Sequence, residues 1–587
     1  MPVSERRSVM RLTINHTKSG DSFYVIRSVK RNGKRSSETV KRLGTANEIK
    51  EKYGVDDAEA WARDHVAALN EHEEANNHKV LIPMMTDAII PIDEQRSFNV
   101  GYLFLQKLYH DLKLPYICRK ISERHDFTYD FDSILSRLVY ERILYPSSKL
   151  SSFGSSKDLF EQPDFELHQI YRALSVISEE SQFIQEKLYK NSLNVIPRKT
   201  GVLYYDCTNY FFSTEMEEGI KKYGQSKDHQ PGPIVEMGLF IDRSGIPLAF
   251  SIHDGNTNEQ LTLTPLEKQI VRDFELSRFI VCTDAGLSSE SNRKFNNFGE
   301  RSFITAQSVR KLNKELKAWA LSPEGWQLEG SSTKYDIRDI EDTPENRNRI
   351  FYKQRYIEGY DEKRDIGFDQ TMIVSYSLKY KAYQSEIRNR QVERARKFLE
   401  RSPSAIDNKR PNDAKRFIEK KLVTVDGEIA EKKIYRLDED RIADEARYDG
   451  FYAVCTNLDD DPADIVRINK GRWEIEESFR IMKSEFEARP VYLKRDDRIK
   501  AHFMTCFIAL LVYRILENKL GGKYTCSEII GTLRSMDVTK LGSSGYTPAY
   551  KRTKLTDDLH RFAGFRTDYE LSTEKSMRGC CRRSKGL

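Results

Sequence analysis

Gly471-Arg-Trp-Glu-Ile-Glu-Glu-Ser-Phe-Arg-Ile-Met-Lys483 is the stretch on which the fold assignment turns. At 100° per residue, with Arg472 as zero, Glu476 falls at about 40° and Lys483 at about 20°, so one face of a predicted helix carries an arginine, a glutamate and a lysine. Ile475, Phe479 and Met482 recur at i, i+4 and i+7 and give an apolar stripe that anchors the helix while the charged line looks out from its flank. A solvated amphipathic helix would show the same Glu-rich surface. The surrounding sequence decides between the two readings.

Upstream, short apolar runs with β character recur at Val202–Asp206, Met237–Asp242, Pro247–Ile252, Phe279–Asp284 and Phe303–Ala306, and again at Phe451–Cys455 just before the quoted helix. With a helix predicted after Asp284, these runs imply an α/β layer. Asp206 ends one of these runs and Asp284 another, and a strand-end carboxylate faces a sheet edge open to metals and ligands. Among 90 acidic residues, such placements alone fit turn or capping carboxylates better.

The spacing Arg472-x3-Glu476-x6-Lys483 resembles the tyrosine-arginine-glutamate-lysine signature of bacterial insertion-sequence DDE transposases. Flanking motifs match in order between about Gly201 and Phe507. They are Tyr205-Asp-Cys-Thr-Asn209, Tyr223-Gly-Gln-Ser-Lys-Asp228, Gly255-Asn-Thr257, Thr283-Asp-Ala-Gly286 with Asn292, and Asp449-Gly-Phe-Tyr452 with Thr456-Asn457. The resemblance implies a ribonuclease H-like core in which a β-rich insertion precedes the catalytic Glu. The intervals of 78 residues from Asp206 to Asp284 and 192 from Asp284 to Glu476 suit that subgroup.

It further implies that Asp206, Asp284 and Glu476 are catalytic metal ligands, with Asp206 bridging two ions, and that Arg472 and Lys483 hold phosphates beside them. Oxygen ligands of this kind suit Mg²⁺, with Mn²⁺ as a substitute. The implied activity is cut-and-paste transposition: cleavage at the terminal inverted repeats of an element and strand transfer into target DNA, by a homodimer on the DNA. At one position the chain departs from the signature, because Asn469 stands where the family has the tyrosine that helps to hold terminal DNA. Two alternatives are a structure-specific DNA nuclease on the same fold, which cuts without joining, and a catalytically decayed DNA-binding derivative.

Other candidates carry less. Lys227, Asp228 and His229 sit in a predicted turn with a DNA or active-site role on one reading and a plain surface turn on the other. In related enzymes an insertion tryptophan is thought to stack a flipped base, and Trp326 is the counterpart here, although a buried or surface tryptophan is the stronger reading. Trp473 reads as core, and Cys207 and Cys282 as small apolar fillers.

The whole chain of 587 residues predicts several domains and is multidomain α+β in class. Residues 1–78 form a basic β-hairpin with helices, 79–196 a helical domain, 197–310 the first part of the core, and 311–448 the insertion. Residues 449–520 form the second part of the core with the catalytic helix, and 521–587 a C-terminal helical region with a short basic, mobile tail. The net charge of +6 is uninformative until it is divided: residues 1–44 hold eleven bases and three acids, +8, leaving −2 for the rest. An Asn32-Gly33 turn makes this front segment a two-stranded ribbon, with Arg31, Lys34 and Arg35 placed to enter a DNA groove. Capping boxes are predicted at Thr45–Glu48 and Asp56–Glu59. The eight cysteines have no metal spacing and imply a reduced compartment. Phe503–Leu516 is too short for a membrane span and contains Arg514, so it reads as a buried helix. No signal peptide or membrane association is expected, and the implied location is the bacterial cytoplasm, on the nucleoid when DNA-bound.

Overall fold

The computed structural model describes residues 9–17, 20–31, 34–77, 80, 82, 84–362, 366–401, 413–423 and 432–587. The chain divides into two compact units, Met1–Glu94 and Gln95–Leu587. In the first, Gly20–Arg31 and Lys34–Thr45 pair antiparallel, but the ribbon has a third strand, Arg11–Thr17, against Gly20–Arg31. That strand alternates only at Leu12 and Ile14, too brief a signal to stand out in the sequence. Thr45 and Glu48 form the predicted capping box. The second helix, Ala58–Asn77, is capped by Asp57 rather than Asp56, its carboxylate accepting from the Glu59 and Ala60 N–H groups. Phe23, Ile49, Ala58 and Ala62 pack together beneath the sheet. The Asn32-Gly33 turn lies outside the described residues, as do the side chains of Arg31, Lys34 and Arg35.

The second unit is built on a nine-stranded sheet. Its strands are β1 (Val202–Phe211), β2 (Ile234–Asp242), β3 (Pro247–Asp254), β4 (Ile280–Thr283), β5 (Ser302–Gln307), β6 (Gln327–Leu328), β7 (Phe351–Ile357), β8 (Gln370–Tyr376) and β9 (Phe451–Thr456). The order across the sheet is β6-β7-β8-β9-β5-β4-β1-β2-β3. β4 runs parallel to both β1 and β5, and every other pair is antiparallel. β1 and β2 are buried almost throughout, as their apolar composition requires. The segment predicted as an insertion, 311–448, supplies β6, β7 and β8 to this same sheet, joined through the pairing of β8 with β9 from Thr371–Thr456 to Tyr376–Phe451. It also contains the long helix α1 (Leu378–Arg401).

Six α-helices between Tyr102 and Ser192 occupy the stretch predicted to be helical. Two helices, α2 (Pro462–Lys470) and α3 (Trp473–Arg480), follow β9. The helix α4 (Asp496–Lys519) passes through the centre and packs on β3 and on the helices Tyr102–Asp111, Phe131–Leu144 and Leu167–Glu179. It is long and apolar enough to cross a membrane, but 94% of its apolar window is buried inside the protein. The end of the chain folds back on the start of the unit: Asp537–Leu541 pairs with Ser97–Asn99, and Glu574–Ser584 packs on Tyr102–Asp111. The basic tail is therefore not mobile, because Met577, Cys580, Cys581 and Ser584 are buried along one face of its helix.

Candidate active site

Asp206 sits in the middle of β1, not at its end as the sequence predicts. What ends there is its neighbour. In the parallel pairing of β1 with β4, Val202 faces Ile280 and Tyr204 faces Cys282, each 78 residues apart, and Asp206 and Asp284 share that offset. Continued two residues past the last recorded pair, that offset brings Asp284, just beyond the end of β4, level with Asp206 on a neighbouring strand about 4.8 Å away. β4 stops because Asp284 caps the turn Ala285–Leu287, its Oδ1 accepting from the Gly286 and Leu287 N–H groups at 2.9 and 3.1 Å. Asp206 Oδ1 accepts from the Cys207 N–H at 2.8 Å. Oδ2 of each carboxylate has no protein donor among the described residues, which suits a hard cation. Burial, and then the Asp284 charge, push the Asp206 carboxyl up to about 6, while Lys227 and Arg472 pull it down.

The segment Gly471–Lys483, predicted as one helix, holds two helical pieces after a two-residue break. α2 ends at Lys470, Arg472 caps α3, and after Arg480 the chain widens into a π turn, Ile481–Glu485. Ile475, Phe479 and Met482 are buried. Glu474 pairs with Arg514 of α4, whose Nε donates to the Gly245 carbonyl at 3.0 Å, so α3 is tied to the central helix. Gly471 is forced by a close approach, since a Cβ there would lie 2.8 Å from Tyr204 Cζ.

Lys483, inside the π turn, reaches the Asp228 carboxylate at 3.3 Å and lies 5.5 Å over the Tyr210 ring. Burial pushes its ammonium down to about 8. Arg489 pairs with the same carboxylate. Lys227 donates to the Cys207 carbonyl at 2.7 Å and pairs with Glu259 at 2.7 Å, so the Lys227-Asp228 turn is bound into the site rather than left on the surface. Sequence reasoning missed Glu259 and Glu236. Glu236 is 4% exposed, accepts from Asn209 at 3.2 Å, and is pushed up to about 7 by burial. An acid inside the apolar run Ile234–Asp242 was the available signal.

Glu476 is exposed and lines a cavity of about 730 Å³ together with Tyr380, Tyr452, Asn469, Arg472 and Trp473. Trp473, predicted as core, is 58% exposed. Trp326 is the opposite case: it is fully buried, its Nε1 donating to the Ser322 carbonyl at 3.0 Å, and no base can reach it. The three acids do not form a preformed ligand set. Among the described residues the one sufficiently tight group is Asp557, His560 and Asp568. That group does not suit a metal, because Arg566 pairs with both aspartates at 2.7 and 2.6 Å. His560 Nε2, moreover, accepts the Thr567 N–H, which puts the ring proton on Nδ1.

Asp206 inside β1 and Asp284 just past the end of the short β4, with the Lys227 and Arg472 charges acting on Asp206, make a carboxylate pair of the kind that phosphodiester chemistry uses. Residues 213–512 match the transposase DDE domain, just over half of the chain, and the chain belongs to that family of DNA-cleaving and strand-transferring enzymes, which use divalent metal ions. The match includes Asp284 and Glu476 and begins just beyond Asp206. The chain is also similar to a piggyBac transposase solved by cryo-EM in a synaptic complex with hairpin DNA, at 10% identity and a TM-score of 0.35, over 82% of this chain and 90% of that one. No curated protein matches the chain.

Proposed function

We propose that the protein is a bacterial insertion-sequence transposase of the cut-and-paste kind, with Asp206, Asp284 and Glu476 as its catalytic metal ligands. On this reading β3-β2-β1-β4-β5 is a ribonuclease H-like core, supported by three antiparallel strands followed by two parallel ones. The observation that carries the reading is the β1–β4 pairing, whose offset continued by two residues aligns Asp284 with Asp206, together with the Asp284 charge acting on the Asp206 carboxyl. Mg²⁺, or Mn²⁺ in its place, supplies charge stabilisation at the phosphate and activates the attacking water or 3′-hydroxyl.

The side chains divide the remaining work. Asp206 and Asp284 each offer a free Oδ2, and Glu476 joins them when DNA fills the adjacent cavity. Arg472 holds a phosphate beside Asp206, and Lys483 another, while Lys227 holds the strand at Cys207 in place. Residues 1–78, with Arg31, Lys34 and Arg35, bind the terminal inverted repeats, and a homodimer pairs two ends in the cytoplasm, on the nucleoid. The test is excision and joining with Mg²⁺ by Asp284→Ala and Glu476→Ala: both are expected to be inactive, and retained activity sinks the reading. Pre-cleaved ends then separate a transposase, which joins them to target DNA, from a nuclease, which does not.

A further inference from the structure

The cavity beside Glu476 holds polar groups that the chain leaves incompletely bonded. Asn469, 2% exposed, donates from Nδ2 to Tyr452 Oη at 2.8 Å, and its Oδ1 has no partner. Arg472 stands beside the same phenol, within reach of its oxygen, and its own buried Nε has no acceptor. A phenol oxygen accepts two hydrogen bonds and donates one. With Asn469 and Arg472 on its accepting side, Tyr452 keeps its hydroxyl proton for something else.

The cavity indicates what that is. Its wall also carries Lys379 and Lys470, and Arg347 in its pair with Asp342, against the single carboxylate of Glu476. A buried donor without an acceptor is costly, and here the Arg472 Nε–H and the Tyr452 hydroxyl proton share a positively charged space, so the fitting ligand is an anionic oxygen. In a DNA-cleaving enzyme that ligand is a backbone phosphate. We infer that Tyr452 is a DNA-positioning residue: its hydroxyl and the Arg472 guanidinium grip one phosphate of the strand that runs to Glu476, and Asn469 sets the direction of the phenol. The inference rests on the reading of Glu476 as catalytic.

The experiment uses the full chain, Mg²⁺ and duplex element ends. Tyr452→Phe is expected to raise KM for the end about tenfold, the value of one charge-assisted hydrogen bond, with kcat within about twofold. Methylphosphonates placed singly along the terminal nucleotides are expected to reveal one phosphate whose neutralisation weakens the wild type about tenfold and Tyr452→Phe no further. An unchanged KM, or methylphosphonate penalties that add to the Tyr452→Phe penalty at every position, overturns the inference. Should Tyr452→Phe melt below the wild type, Asn469→Ser is compared at the same phosphate: a penalty there that does not add supports the inference, and none overturns it. Asp284→Ala keeps the two readings apart, because it is expected to abolish turnover while leaving the methylphosphonate pattern in binding intact. Turnover by Asp284→Ala would defeat the metal-ligand reading and leave the phosphate pattern to decide Tyr452.

Discussion

Gly471 joins α2 to α3, and replacing it with alanine perturbs the site without altering any proposed ligand. The backbone there has φ −63°, which alanine adopts freely, so the effect is one of contact. The added Cβ would lie 2.8 Å from Tyr204 Cζ and closer still to its Oη. Carbon atoms pack at about 3.5–4.0 Å, so something must move by about 1 Å. Tyr204 is 1% exposed in the core and its Oη donates to the Ile468 carbonyl at 2.9 Å, so the helix junction yields and carries Arg472 and Glu476 with it. Overpacking of this kind costs about 1–3 kcal/mol. A displacement of about 1 Å in positioning groups costs about 100-fold in rate. The assay is excision well below the melting temperature, with circular dichroism to verify folding: Gly471→Ala is expected to be about 100-fold slower, with melting lowered by only a few degrees. Adding Tyr204→Phe removes the nearest atom and is expected to restore about tenfold of the loss. Wild-type excision by a folded Gly471→Ala protein refutes the reasoning.

Glu267 is fully buried, accepts from Asn296 at 2.8 Å, and burial pushes its carboxyl up to about 8 from the ordinary 4.5. Its stabilising contribution is therefore complete below about pH 4.5 and lost as pH rises through about 8, so Glu267→Gln is expected to raise the melting temperature at about pH 9 and change little at about pH 5. Asp228→Asn removes the charge that Lys483 and Arg489 share. Non-specific DNA binding, followed by anisotropy across salt concentrations, is expected to tighten and its log–log salt slope to steepen by about 1 to 2, while an unchanged slope means that neither cation reaches a phosphate. Trp326→Ala should cost about 3–5 kcal/mol, seen as a lower denaturant midpoint, and leave excision per folded molecule unchanged in the cold.

Six strands of the central sheet, β1 to β5 and β9, were visible in the sequence because elements buried on both faces must be apolar. Asp206 misled for the same reason: a carboxylate in an apolar run looks like a terminator, yet β1 continues through buried Cys207 and Tyr210 to Phe211. The carboxylate finds room because β4 is short, a property of another part of the chain. The charged face of Gly471–Lys483 was read with one helical period, which the break at Arg472 and the π turn interrupt. Tryptophan size suggested a buried Trp473, whereas its position beside a cavity leaves it exposed. The partner of Lys483 lies 255 residues away at Asp228, and no local pattern reveals such a pair.

The junction of β8 with β9 makes the segment from 311 to 448 a structural member that cannot be excised. Cut out at its ends, it would leave β9 with bare N–H and C=O groups along the flank now covered by Thr371–Tyr376, an invitation to pair with other chains. The strand left bare would be the one that carries Tyr452. Attempts to miniaturise this enzyme by deleting residues 311–448 are therefore expected to yield aggregates, unless a replacement strand is grafted in the place of β8.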